Sequence, residues 1–104
     1  MLYFVKAELR QMPPMAREQW MGQVIATWQV LAELERTGQA KGVGAMLGKQ
    51  AGVAILDAES HEAVAQILLR LPVSAYLEWD IVPMVSAQQA LDNARWSTAA
   101  TARA

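Results

Sequence analysis

With 104 residues, 54% of them hydrophobic and 18% charged, the chain is sized for one domain with one core and is too apolar to stay disordered. Lys and Arg number 9 against 10 for Asp and Glu, so the net charge is -1 and no cationic excess exists to hold a nucleic acid backbone. Having no cysteine, the chain cannot form disulfides, thiolate nucleophiles or cysteine metal sites, and its one histidine, His61, cannot by itself build a multi-imidazole centre.

Leu2 to Leu9 alternates, which predicts a half-buried strand with Tyr3, Val5, Ala7 and Leu9 on its apolar side and Phe4, Lys6 and Glu8 on the other. Gln11-Met12-Pro13-Pro14 ends it, because proline lacks the N–H that a ladder needs. From Met15 to Arg36 the period is helical: Trp20, Val24, Trp28 and Leu31 form one stripe, which Met21, Ile25 and Leu34 widen. So broad a stripe fits a helix that also touches a ligand or a second subunit, and equally one that a small domain wraps closely. Gly38 is the expected stop.

Gly42 to Gly48 and Val53 to Leu56 read as two strands joined by a hairpin over Lys49-Gln50-Ala51-Gly52. The glycines do not make a phosphate loop, since no helix follows them. Ser60 is the expected cap of a second helix, His61 to Leu71, with Val64, Ile67, Leu68 and Leu71 on one face and Pro72 at its end. Tyr76 to Val82 alternates again, with Leu77, Trp79 and Ile81 opposite Tyr76, Glu78 and Asp80, and Pro83 closes it. Ser86-Ala87-Gln88-Gln89 resembles a capping box for a third helix reaching Trp96, after which the tail has little to bury and is expected to fray. The longest uncharged run, Gln19 to Ala32, falls short of the roughly 20 apolar residues that a bilayer span needs, so a cytoplasmic protein without a membrane partner is expected.

The order β-α-β-β-α-β predicts an α+β domain of ferredoxin-like type over residues 1–84, a four-stranded antiparallel sheet with both helices on one side, followed by a helical appendix over residues 85–104. The bare side of such a sheet, part apolar, predicts a face-to-face dimer of the dimeric α+β barrel type.

These strands, with Gly48-Lys49-Gln50-Ala51-Gly52-Val53, Asp57-Ala58-Glu59-Ser60, Leu71-Pro72, Tyr76-Leu77-Glu78 and Pro83, resemble the muconolactone isomerase family from Met1 to about Met84. The resemblance implies a homo-oligomer (a dimer or a larger ring, up to a decamer), no metal and no organic cofactor. It also implies a role in aromatic catabolism: a proton transfer that shifts a double bond in a small unsaturated lactone acid. The family's glutamate on the first helix falls on Thr27, and its tyrosine and asparagine at the hairpin fall on Gln50 and Gly52. A threonine hydroxyl is no base at neutral pH, so Glu8 and Glu78, near Asp80, stand as replacement bases, with an interfacial charge network as their other reading. His61 reads as a solvated helix-start residue, Trp20 and Trp79 as core, and Trp28, beside Thr27, as a surface on which a flat ligand could stack. The expectation is an isomerase-like enzyme acting on a small lactone or enolisable acid. Its alternative is a non-catalytic binding or assembly protein on the same scaffold.

Overall fold

The structure, a computed structural model, describes residues 1–103, with side chains through Ala99. Its elements are β1 (Leu2–Leu9), α1 (Arg17–Thr37), β2 (Ala40–Ala45), β3 (Ala51–Asp57), α2 (His61–Leu69), a 3-10 turn (Ser74–Tyr76), β4 (Leu77–Met84) and α3 (Ala87–Arg103). The strands form one antiparallel sheet in the order β2-β3-β1-β4, the ferredoxin-like α+β topology.

Register settles which residues share a side of the sheet. Tyr3, Val5 and Ala7 of β1 pair with Leu56, Ala54 and Gly52 of β3, and Val5 and Ala7 with Ile81 and Trp79 of β4. That side lies under the helices. Tyr3 and Leu56 are almost wholly buried there with Val64 and Leu68 of α2, Leu71 and Ala40. Removing each large apolar side chain from water contributes roughly 1.5–3 kcal/mol. On the other side, Phe4 pairs with Ile55 and Val82, Lys6 with Val53 and Asp80, and Glu8 with Ala51 and Glu78.

The helix ends follow local chemistry. Gly38 takes φ 87°, and its N–H reaches the carbonyl of Glu35 at 3.2 Å, which closes α1. Glu33 and Arg36 pair one turn apart on the exposed side, and this pairing holds the Glu33 carboxyl below its ordinary value. The Ser60 hydroxyl accepts from the N–H of Ala63 at 3.2 Å, so Ser60 caps α2.

Several boundaries differ from expectation. α2 stops at Leu69 because Leu71 precedes Pro72, and that position disfavours helical backbone. Leu71 nevertheless stays in the core. β2 begins at Ala40, has a register shift between Ala40 and Gly42, and ends at Ala45; the hairpin then turns with Gly48 at φ 82°. Tyr76 is not on the open side of the sheet. It belongs to the 3-10 turn, and its ring meets that of Trp20 edge-on at 6.0 Å. Pro83 lies within β4, which tolerates it as an outer strand paired only with β1.

The third helix does not stop at Trp96 but continues to Arg103. Ser86 caps it by accepting from the N–H of Gln89 at 3.1 Å, while the Gln89 amide turns to Asn93 instead of completing the box. Every described side chain of α3 is exposed. The helix projects from the body, giving a 64 Å long axis and a radius of gyration of 17.4 Å, against about 13 Å for a compact chain of this size. No helix among the described residues is long and apolar enough to cross a membrane.

Candidate functional site

A cleft of about 460 Å³ opens between α1 and the sheet. Its inner end reaches Leu56, Leu68 and Leu71, so it undercuts the core. Its mouth lies where β1 ends at Leu9, β4 begins at Leu77 and the β2–β3 hairpin turns. The backbone fastens that corner: the N–H of Leu9 donates to the carbonyl of Gln50 at 2.9 Å.

Thr27, Trp28, Gln50 and Gly52 all border this cleft, although they come from a helix, a turn and a strand. Thr27 is 6% exposed, and its hydroxyl donates to the Gln23 carbonyl at 2.8 Å. Its one proton is thus spent on its own helix, which leaves only acceptor capacity toward the cleft. The rim of the Trp28 indole lies against the backbone of Gly52. A Cβ added at Gly52 would stand 3.0 Å from Cη2 of Trp28. Gly52 is therefore the place where a helix aromatic touches a strand directly.

Trp20 and Trp79 are both cleft wall and core. Trp20 is 4% exposed, and the indole N–H of Trp79 donates to the Ser74 carbonyl at 3.1 Å. Trp96 lies far out on α3 and is exposed.

The carboxylates singled out from the sequence lie elsewhere. Glu8 and Glu78 face each other across β1 and β4 on the side of the sheet away from α1. Glu78 pairs with Arg10, which holds the guanidinium's proton more tightly than usual. Glu8 Oε1 is 3.8 Å from Lys49 Nζ, and Lys49 itself borders the cleft mouth. Glu8 is thus one side chain removed from the cleft. Asp80 sits opposite Lys6 on the same open side. His61 is exposed at the start of α2, where its Nδ1 shares a hydrogen bond of 2.9 Å with the hydroxyl of buried Tyr3.

Two residues of the cleft wall escaped the sequence reading: Arg17 and Lys49. A signal for Arg17 existed, because it precedes Trp20, Val24 and Thr27 on one helical stripe. Lys49 carries no such signal, since a hairpin has no period. Among the described residues no group of three or more His, Asp or Glu side chains is placed to hold a metal ion.

The sequence profile of the family described as muconolactone delta-isomerase matches residues 1–90. The chain belongs to that family. The muconolactone delta-isomerase fold is also seen in two solved structures that resemble it. One is the crystal structure of muconolactone isomerase, with a TM-score of 0.74 and 21% identity, covering 83% of this chain and 90% of that one. The other is 5-chloro-2-hydroxyhydroquinone dehydrochlorinase from Burkholderia phenoliruptrix in complex with 2,5-dihydroxybenzoquinone. Its TM-score is 0.66 at 16% identity, covering 86% of this chain and 98% of that one. No curated protein sequence matches the chain at a significant level. At these identities the structural likeness carries the muconolactone delta-isomerase fold and not a reaction.

Proposed function

We propose that this muconolactone delta-isomerase family member binds a small unsaturated lactone or enolisable acid in the cleft between α1 and the sheet. The observation that carries the reading is convergence: Thr27, Trp28, Gln50 and Gly52, from three separate segments, border one cleft of about 460 Å³. That volume lies within the roughly 300–1,000 Å³ of small-molecule sites. Three tryptophans on its wall favour a flat ring. The related dehydrochlorinase, solved with a dihydroxybenzoquinone, supports the same ligand shape.

Binding without turnover is the form the geometry supports best. Among the described residues the cleft wall carries no Asp, Glu or His, and the Thr27 proton is already donated. Proton-transfer isomerisation is the second reading, with Glu8 as base. The 3.8 Å approach of Glu8 to Lys49 at the mouth favours it, and Glu78 across the ladder is the next choice. A second copy of the chain packs on the open sheet side in either reading.

The test is to titrate the full chain with muconolactone and simple butenolides, following tryptophan fluorescence, while the ultraviolet spectrum reports isomerisation. Saturable quenching without turnover is expected. Turnover that Glu8→Gln abolishes would replace the binding reading with the isomerase reading. Neither quenching nor turnover would reject both.

A further inference from the structure

We infer that Glu35 guards the outer edge of β2: its carboxylate occupies the N–H of Val43 and so holds shut an edge on which β2 of a second copy would otherwise pair. β2 is an outer strand, bonded to β3 alone. In an antiparallel ladder successive residues turn their N–H and C=O groups alternately toward the partner strand and away from it. The N–H of Met46 donates to the carbonyl of Ala51 at 2.9 Å. Gly44 and Gly42, paired with Val53 and Ile55, therefore direct their backbone groups to β3, whereas Val43, paired with Ala54, turns its own outward. There the Val43 N–H donates to Glu35 Oε2 at 3.0 Å. Glu35 stands in the last turn of α1, and its carbonyl accepts from the N–H of Gly38, so the closure of the helix sets where the carboxylate reaches. Among the described residues Glu35 enters no ion pair; its neighbour Arg36 turns to Glu33.

A sheet edge with unpaired N–H and C=O groups is a template for another chain, and folded proteins close such edges. The opposite edge of this sheet is closed by other means. The bond from Leu9 to Gln50 assigns the backbone groups of Tyr3, Val5 and Ala7 to β3, which leaves the alternate residues of β1 to bond β4. Pro83, paired with Tyr3, thus stands at an outward position of β4 and offers no N–H there. β2 has no proline, and Gly42 and Gly44 leave its surroundings open: a Cβ added at either meets no atom within 4 Å. With the Glu35 carboxylate gone, Val43 would face Val43 of a second, antiparallel β2 across a twofold axis and exchange two N–H···O=C bonds with it. That register sets Lys41 opposite Ala45 and not opposite another lysine, so no like charges meet, and a second copy of the chain fits the edge.

Sedimentation of the full chain at matched concentrations tests the guard, with melting curves to confirm that each variant is folded. Glu35→Ala is expected at about twice the mass of the unaltered chain. Glu35→Gln keeps an acceptor oxygen and should stay at the unaltered mass. Val43→Pro removes the outward N–H without removing a β2–β3 bond, so Glu35→Ala combined with Val43→Pro should return to the unaltered mass. Folded Glu35→Ala at the unaltered mass would overturn the guard and leave Glu35 as a tie between α1 and β2. A doubling that Val43→Pro leaves intact would overturn it as well. Hydrogen exchange of the unaltered chain gives a reading that depends on no variant. The Val43 amide should exchange roughly tenfold more slowly than that of Ala45, the next outward position of β2. Equal rates at the two amides would by themselves overturn the guard.

Discussion

Gly52 has no side chain, and the ring of Trp28 takes the space one would fill. The helix wall of the cleft stands at its observed distance from β3 because nothing intervenes. A methyl group at 3.0 Å from Cη2 is tighter than most real contacts, so in Gly52→Ala the indole has to give by a few tenths of an ångström. Overpacking of this kind costs roughly 1–3 kcal/mol. The expected result is a lower urea midpoint and an altered tryptophan emission, with much of the loss recovered in Gly52→Ala combined with Trp28→Phe. A double-mutant cycle in urea checks it: additive losses would show that the two residues do not meet. Thr27 illustrates the same scale from the other direction. A polar side chain 6% exposed is tolerated in the wall because its hydroxyl finds a carbonyl one turn back.

At the scale of elements, β3 joins the sheet to the site. Ala54 and Leu56 pack under the helices, Gly52 meets Trp28, and its outward residues Val53 and Ile55 pave the open side. Leu56, at 0% exposure, also closes the inner end of the cleft. Leu56→Ala is therefore expected to cost roughly 2–5 kcal/mol, near the lower end if the cleft collapses into the vacancy. Chemical denaturation gives the value, and a loss below 1 kcal/mol would mean that Leu56 is not a core residue. The alternation of β1 and β4 and the stripes of α1 and α2 were legible in the sequence, because a period of two or of 3.6 states which residues share a side. The hairpin was less legible. The register shift near Gly42 and the positive φ of Gly48 moved the end of β2 to Ala45, and neither has a periodic signature.

For the whole molecule, the body leaves Phe4, Val53, Ile55 and Val82 together on the bare side of the sheet. Val82 is 44% exposed. A contiguous apolar patch of this sort marks a contact between molecules, and we propose a second copy as its cover. Val82→Asp would place a charge in that contact without touching the core. Sedimentation should show the unaltered chain as a dimer or larger and the variant shifted toward monomer, with its melting behaviour in dilute solution still cooperative. A monomeric unaltered chain would remove the proposed dimer. α3 lies outside this economy of faces, for it packs on nothing in its own chain that buries a described side chain.

The linear order of residues was enough to determine the α+β class, the side each strand turns to the helices and the caps at Gly38 and Ser60, since each depends on neighbours a few positions apart. Resemblance to a family was enough to select Thr27, Gln50 and Gly52. Only the tertiary structure decided that a cleft opens between α1 and the helix-covered side of the sheet, and that Arg17 and Lys49 border it. Which side of a sheet borders a cavity, and which loop ends beside which helix, depend on packing between segments far apart in the chain, and no local period encodes that.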